Sequence, residues 1–186
     1  MANPDSSNVV VGKPKATGGV YAGSTSATLP TNAVASLDAS LIGLGYVGDG
    51  GVTQTKGGDV TQIRAWGGDT VKVVKTTDDL SYAWTFLEMT RQTFIETFGV
   101  SNVAWTDANG GQKVTLNGSQ LDKRAYVFEM LDGTTAIRIV VPNGQVDGQV
   151  TVTFVDGQAS GFPVNLIALP DSSGNKAYIY FTKFAS

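Results

Sequence analysis

The feature that most constrains the fold of this chain is a series of short β-prone runs separated by glycine-containing turns. Two such runs, at 60–66 and 71–76, each follow a Gly-Gly-Asp triplet, at 57–59 and 67–69. Glycine adopts positive φ without steric cost, so these triplets are typical of hairpin turns. The chain has 23 glycines in 186 residues, roughly 12% against an average near 7%. The pattern predicts a mainly β protein.

The clearest predicted strand is Leu80–Glu88. Side chains alternate between the two faces of a strand, so Tyr82, Trp84 and Phe86 share one face. Three large aromatic side chains on one face are typical of a strand that packs on a hydrophobic core. We therefore expect this face to be buried.

A hairpin is predicted where Asp132-Gly133 joins two β-prone runs, Arg124–Leu131 and Thr135–Val141. Further strands are predicted at Leu41–Val47, Val52–Thr55, Lys113–Asn117, Val150–Val155, Val164–Leu169 and Lys176–Phe184. Several strands are apolar on both faces, whereas a sheet with one face in water alternates cleanly. These strands need a second cover, which is another sheet, a helix or a neighbouring subunit.

One helix is predicted, from about Thr90 to Phe98. Phe94 and Phe98 are four residues apart and form one apolar stripe. Thr90 is a suitable N-cap, and Gly99 fits the position just after the helix. A helix this short is marginal alone, so we expect it to flank the sheet.

The first 35 residues differ from the rest, because they are rich in Gly, Ser, Thr, Ala, Asn and Pro. We interpret residues 1–35 as an extended N-terminal arm and residues 36–186 as the β-domain. The triplet Val9-Val10-Val11 favours docking of the arm as a strand over a disordered tail, because β-branched residues fit pleated surfaces.

Two residue types are missing altogether, since the chain has no Cys and no His. Their absence excludes Cys–His and Ser–His–Asp catalysis and removes the usual ligands of zinc, copper and haem. The chain has a net charge of −3, so it lacks the excess of basic residues that is typical of a nucleic-acid-binding protein. No apolar run approaches the roughly 20 residues of a membrane span.

Two acidic motifs were weighed as sites. Asp78-Asp79 lies in a polar turn before a strand, where consecutive side chains point apart. The run Asp107-Ala108-Asn109-Gly110-Gly111 resembles the start of a calcium loop, but the last position of the twelve-residue frame is Gly118 rather than an acidic residue. Both are interpreted as turns. The sequence predicts no catalytic residue, no metal or cofactor-binding residue and no cofactor.

The segment from Gly12 to Val74 resembles the major tail tube proteins of siphophages, most of all those that infect actinobacteria. The matching residues are Gly12-Lys13-Pro14, Gly18-Gly19-Val20-Tyr21-Ala22-Gly23, Leu29-Pro30-Thr31, Leu44-Gly45-Tyr46-Val47, Gly51-Val52-Thr53 and Ile63-Arg64-Ala65-Trp66-Gly67-Gly68-Asp69-Thr70-Val71. The strand and helix that follow, to about Gly99, match the same order of elements. The resemblance thus covers roughly half of the chain.

The resemblance implies a β-sandwich or barrel of the tail tube type, with one flanking helix, an N-terminal arm and a long hairpin loop, here residues 53–75. It implies six-membered rings stacked into a non-contractile tube, which conducts the genome into the host. The implied partners are a tape-measure protein in the lumen and the tail tip, initiator and terminator proteins. DNA would pass without specific binding and no membrane would be bound. The implied place is the virion tail, assembled in the host cytoplasm.

Two other functions compete with this one. A virion decoration protein or a β-sandwich adhesin would be a discrete monomer or small oligomer. A carboxylate-based hydrolase would have a cleft with an Asp or Glu of raised pKa. The lack of any motif for chemistry favours a structural protein over an enzyme.

Overall fold

The computed structural model describes residues 9–15, 18–105 and 111–182. These residues contain one α-helix, α1 (Arg91–Phe98), followed by a short 3-10 turn, Val100–Asn102. The strands are β1 (Val20–Ser24), β2 (Ile42–Gly43), β3 (Thr53–Gly57), β4 (Val60–Arg64), β5 (Thr70–Lys75), β6 (Asp79–Phe86), β7 (Val103–Trp105), β8 (Gln112–Val114), β9 (Lys123–Asp132), β10 (Thr135–Val146), β11 (Phe162–Ala168) and β12 (Tyr178–Phe181). The predicted fold class, mainly β with one flanking helix, is confirmed.

Eight strands form the main sheet, in the order β2-β1-β9-β10-β11-β6-β3, with β12 also paired to β10. The pairs are antiparallel throughout. The long strand β10 pairs with β12 through its first half and with β11 through its last residues, and the register shifts between Val141 and Gly144. Such an irregularity bends a strand and strengthens its twist. The sheet curls around its core but does not close.

The core is dominated by aromatic side chains of β6 and β9. Tyr82, Trp84 and Phe86 are buried, as their alternation predicts. The Phe128 ring stacks on Tyr82, with centroids 5.1 Å apart, and meets the edge of Trp84 at 5.4 Å. Aromatic pairs with these geometries add about 0.5–1.5 kcal/mol each beyond the burial of their area. The hairpin of β9 and β10, predicted around Asp132-Gly133, is also confirmed, with Thr135 opposite Asp132.

Helix α1 begins and ends where the sequence predicts. Thr90 is the N-cap, and its hydroxyl accepts a hydrogen bond from the Thr93 amide. Gly99 follows the helix with a φ of 94°, a backbone conformation that favours glycine. Phe94 and Phe98 pack edge-on against Phe162 of β11. This contact docks the helix on the main sheet.

A buried carboxylate lies under the helix, which the apolar stripe did not predict. Glu96 accepts hydrogen bonds from the Tyr126 hydroxyl at 2.7 Å and from the Gln92 amide at 2.7 Å. The Arg124 Nε atom lies 2.9 Å from the Glu96 carboxylate. Burial raises the pKa of Glu96, while Arg124, Tyr126 and Gln92 favour its charged form. Paired in this way, the carboxylate links α1 to β9.

A second buried ion pair, between Arg138 of β10 and Glu129 of β9, holds a loop against the main sheet. The Arg138 side chain is 1% exposed and donates hydrogen bonds to the Glu129 carboxylate. It also donates to the carbonyl oxygens of Asn32, at 2.6 Å, and Ala35, at 2.8 Å. Because these carbonyls belong to the loop before β2, Arg138 fastens that loop over the sheet.

Part of the predicted arm lies inside the sheet. Val20–Ser24 forms β1, pairs with β9 and contributes Val20 and Ala22 to the core. Further along β9, Lys15 N donates to Glu129 O and Leu131 N donates to Lys13 O. The segment around Pro14 therefore docks as extended backbone, although Val9 and Val11 remain exposed. The glycine-rich composition of residues 1–35 concealed a core strand.

Four strand predictions need correction. Val150–Val155 is not a strand, and the predicted strand Leu41–Val47 is reduced to β2. The predicted strand Lys113–Asn117 is shifted and shortened to β8, Gln112–Val114. The predicted strand Lys176–Phe184 is reduced to Tyr178–Phe181 in the described part, which ends at residue 182. Val164–Leu169 corresponds to β11 and is confirmed. Strand propensity alone does not supply the hydrogen-bonding partner that a strand needs.

Candidate assembly surface

The surface that most needs an explanation is the β4–β5 hairpin, which forms a two-stranded sheet of its own. Val60 lies opposite Lys75 and Ile63 opposite Lys72, and the register shifts before Arg64. At the tip, Ala65 N donates to Asp69 O at 2.8 Å, which closes the turn. The hairpin is therefore well formed locally.

The base of the hairpin is fixed by hydrogen bonds that join Asp59 to Thr76 and Thr77. Thr76 N donates to Asp59 O at 2.8 Å, and Asp59 N donates to the Thr77 hydroxyl at 2.6 Å. Gly58 has a φ of +143°, and a Cβ atom there would lie 2.2 Å from Thr77 O. Only glycine fits this approach. The Lys75 ammonium donates to the Asp78 carboxylate next to the base.

Every residue from 53 to 79 is exposed. The hairpin nevertheless carries large apolar side chains, and the indole of Trp66 at its tip is fully exposed. The other exposed apolar residues are Val60, Ile63, Val71, Val73 and Val74. An isolated two-stranded hairpin is at best marginally stable in water. Contiguous exposed apolar groups of this kind mark sites of protein–protein contact.

The hairpin also differs in charge from the rest of the chain. Residues 53–75 contain four basic and two acidic side chains, a net charge of +2. The whole chain carries −3, which leaves −5 for the remainder. The basic residues are Lys56, Arg64, Lys72 and Lys75. A basic hairpin and an acidic body are electrostatically complementary between copies of the same chain.

A second feature is the outer face of β3, β6 and β11, opposite the aromatic core. Most side chains on this face are small or polar, namely Thr53, Thr55, Ser81, Ala83, Thr85, Pro163 and Asn165. The exposed Ile167 lies opposite Ser81 on the same face. The face forms one wall of an open groove of about 700 Å³, lined also by Thr151 and Thr153. Asp79 is the charged residue of β6 on this side, and Lys56 of β3 lies on the opposite side. The face is nearly uncharged and largely polar, with one large apolar side chain, Ile167.

Among the described residues, the acidic pair Asp78-Asp79 is not part of a metal-ligating cluster. Asp78 is exposed, and the hydrogen bond from Lys75 lowers its pKa. Glu96, the carboxylate whose pKa is raised, lies beside a cavity of only about 10 Å³, room for about one water molecule. The residues from Asp107 to Gly110 lie outside the described part of the chain. Within that part, no cluster of three metal-ligating side chains occurs.

Part of this surface was predictable. A long hairpin is predicted at 53–75, and the β4–β5 hairpin lies within those bounds. The pairing of β3 with β6, and the largely polar face that results, were not predicted. The alternation of Thr and Ala with large aromatics along β6 was the available signal. No helix in the described ranges is long and apolar enough to cross a bilayer.

Comparison with known proteins gives a family match over nearly the whole chain. A family model described as phage tail tube protein matches residues 1–183. No curated protein matches the chain. Two solved structures show weak similarity along nearly the whole chain. One is the tube-terminating cap of the anti-feeding prophage, with 10% identity, a TM-score of 0.45 and coverage of 92% of this chain and 93% of that one. The other is the sheath–tube complex, in its extended state, of the PVC extracellular contractile injection system, with 11% identity, a TM-score of 0.47 and coverage of 95% of this chain and 98% of that one.

Proposed function

The chain belongs to the phage tail tube protein family, a structural rather than an enzymatic family, and we propose that its copies form hexameric rings stacked into the tube of a non-contractile tail. Membership makes the chain a component of the virion tail. The proposal includes the hexamer, the siphophage tail and assembly in the cytoplasm of a host. The resemblance of Gly12–Val74 suggests that this host is an actinobacterium.

The observation that carries the proposal is the exposed β4–β5 hairpin. Its apolar side chains, with Trp66 at the tip, find no cover in a single copy. Aromatic side chains of this size are enriched at the energetic centres of interfaces. A neighbouring ring would cover both faces of the hairpin. Residues 1–35 would add contacts as an N-terminal arm, although β1 stays in its own sheet.

The face of β3, β6 and β11 supports a role as the wall of a conduit. Apart from Ile167, the side chains of this face are small or polar and nearly uncharged, so they offer DNA no extended hydrophobic patch and no cluster of cations. A basic wall would bind phosphates tightly through counterion release, whereas a neutral or acidic wall lets DNA pass. Six copies at −3 each would carry −18 per ring. On this proposal, the acidic residues repel DNA through the net charge of the ring more than through direct placement on the wall.

The proposed partners follow from a tube of this kind. A tape-measure protein would occupy the lumen during assembly, and initiator, tail tip and terminator proteins would bind the ends. DNA would pass through the lumen during ejection without sequence-specific binding. No catalytic residue, metal ion or cofactor takes part in this mechanical function.

Negative-stain electron microscopy of the purified full chain tests the proposal. We expect tubes with a regular axial repeat at high protein concentration, and ring-shaped end views with six-fold symmetry. Persistent monodisperse monomers across the concentration range would contradict the tube and favour a decoration protein or an adhesin. Rings of another symmetry would contradict the hexamer alone.

A matched pair of variants locates the interface. Val73→Asp places a charge on the exposed hairpin, and we expect folded monomers without tubes. Leu116→Asp places the same charge on an exposed apolar residue after β8, outside both the arm and the hairpin, and we expect tubes to persist. Equal loss of tubes in both variants would show that the hairpin has no special role.

A further inference from the structure

The chain contains three Asn-Gly dipeptides, at 109–110, 117–118 and 143–144. The first lies outside the described residues. In such a dipeptide the glycine has no side chain to shield its main-chain nitrogen, so this nitrogen can reach the Cγ atom of the asparagine before it. Whether it does so in a folded chain depends on the freedom of the backbone. The two described dipeptides differ in that freedom.

Asn143-Gly144 is held in place from both sides. It lies within β10, where Asn143 O accepts a hydrogen bond from Leu169 N at 2.7 Å and the Asn143 side-chain amide donates to Pro170 O at 3.2 Å. Gly144 is buried, and a Cβ atom there would lie 2.8 Å from the Leu166 side chain. The backbone of this dipeptide cannot rearrange unless the sheet opens locally.

Asn117-Gly118 lies instead in an exposed connection without regular secondary structure, between β8 and β9. Gly118 N makes no hydrogen bond to a described residue. No described atom lies within 4 Å of a Cβ atom built at Gly118. Open grooves of about 240 and 500 Å³ border Asn117, so water reaches its amide. The glycine nitrogen is therefore unpaired and unshielded.

The Asn117 side chain is already folded back toward Gly118. Its Oδ1 atom accepts a hydrogen bond from Ser119 N at 3.0 Å, which places the amide group over the main chain of the next residue. Oδ1 also accepts one from Asn102 Nδ2 at 3.2 Å. Two donors on one carbonyl oxygen draw electron density from Cγ and stabilise the negative charge that develops on Oδ1 when Cγ is attacked.

We propose that Asn117 is a site of spontaneous deamidation in the folded chain. Gly118 N gives up its proton to water and attacks Asn117 Cγ, the bond from Cγ to Nδ2 breaks, and ammonia leaves with a proton supplied by water. Water then hydrolyses the cyclic imide at either carbonyl, which yields aspartate or isoaspartate at position 117. The net reaction takes up one water molecule and releases one ammonia. The inference does not depend on the proposed tube.

The reaction breaks a contact that fastens this connection to the end of helix α1. Asn117 Nδ2 donates to Asn102 Oδ1 at 2.8 Å, and Asn102 Nδ2 donates to Phe98 O at 2.8 Å. A carboxylate at position 117 has no N–H, so it leaves the oxygen of the buried Asn102 without this donor and faces it with negative charge. Deamidation therefore loosens residues 115–119 from the helix.

Peptide mapping by mass spectrometry of the aged, purified full chain tests the site. Digestion at acidic pH prevents further conversion during the measurement. We expect Asn117 to convert roughly tenfold or more faster than Asn143 in the folded chain, and the two to convert at similar rates in urea. A rate at Asn117 no higher than at Asn143 in the folded chain would overturn the inference.

Gly118→Ala tests the attacking atom. The added methyl group shields the nitrogen, enters open space and meets no positive φ, so we expect a melting temperature within about 2 °C of wild type. Conversion at Asn117 should slow roughly tenfold or more, while Asn143 is unaffected. Unchanged conversion at Asn117 in the folded variant would contradict attack by the Gly118 nitrogen.

Asn117→Asp tests the consequence, because it supplies the carboxylate directly. We expect a melting temperature about 2–6 °C below that of wild type. The Thr115 amide, which donates to Asn102 O at 2.8 Å, should exchange its hydrogen faster than in the wild-type chain. A variant with wild-type stability and wild-type exchange at Thr115 would show that deamidation does not loosen this connection.

Discussion

The β4–β5 hairpin and strand β6 are neighbours in sequence but differ completely in burial. β5 ends at Lys75 and β6 begins at Asp79. Every residue of the hairpin is exposed, whereas Tyr82, Trp84 and Phe86 of β6 are buried. Both regions have strong β propensity. The comparison teaches that propensity specifies the strand, while the partner available to each face specifies the burial.

The side-chain patterns of the two regions account for the difference. In β6 the large aromatics share one face, so a single layer from β9 and β11 can cover them. In the hairpin, apolar residues occur on both faces beside Lys72 and Lys75, so one layer of the same chain could not bury them without burying charges as well. Such a hairpin is compatible with burial against other copies whose acidic side chains pair with its lysines.

The largest expected loss of stability comes from a substitution in the aromatic core around β6. Phe128→Ala removes a ring that contacts both Tyr82 and Trp84. We expect the free energy of unfolding of the monomer to fall by about 3–5 kcal/mol, and tubes to be lost because the fold is lost. Urea unfolding followed by tryptophan fluorescence measures this. A loss below about 1 kcal/mol would mean that the aromatic cluster is not the centre of stability.

The expected contribution of Glu96 to the free energy of unfolding is smaller than that of Phe128, and it depends on pH. Its folded pKa is raised above the unfolded value near 4.3, so the folded chain binds the proton more tightly. Stability from this group is therefore greatest below that value and falls as pH rises through the folded pKa, by at most about 1.4 kcal/mol per pH unit.

Comparison of the wild-type chain with Glu96→Gln tests this sign. Glutamine keeps the shape of the side chain and removes its titration. We expect the stability difference, wild type minus variant, to decrease between pH 4 and pH 7 in urea unfolding experiments. Parallel stability curves would show that Glu96 does not titrate differently in the folded chain.

The smallest expected effect on the monomer is at the tip of the hairpin. Trp66→Ala removes a side chain with no cover in a single copy, so we expect the melting temperature to stay within about 2 °C. Assembly should change strongly, with the concentration at which tubes form raised roughly tenfold or more. Sedimentation of tubes across a concentration series measures this. An unchanged threshold would remove Trp66 from the interface.

Elements with a strong local pattern were predictable from the sequence. The alternation in Leu80–Glu88 predicted both β6 and its buried face, and Asp132-Gly133 predicted the β9–β10 hairpin. Thr90 and Gly99 predicted the ends of α1. In each case the stabilising contacts are either local or follow directly from the period of the element.

Elements that depend on distant partners were not predictable. Val150–Val155 has strand propensity but is not a strand, because propensity does not supply a hydrogen-bonding partner, and no local signal shows which residues will be neighbours. Polar residues buried under α1, such as Glu96, depend on Arg124 and Tyr126, which lie far along the chain. The role of Val20–Ser24 as a core strand depends on β9 in the same way. The hairpin at 53–75 was predicted from resemblance, and its exposure became visible only in three dimensions.

Gly58 gives the hairpin a property that its side chains do not control. A Cβ atom at Gly58 would collide with Thr77 O, and hydrogen bonds join Asp59 to Thr76 and Thr77, so the base of the hairpin is fixed by residues outside β4 and β5. The direction in which the hairpin leaves the body is therefore independent of the residues it displays. Substitutions along the hairpin can change which surface it binds without changing the direction in which it projects. The chemistry of this contact can therefore diversify while its geometry stays constant.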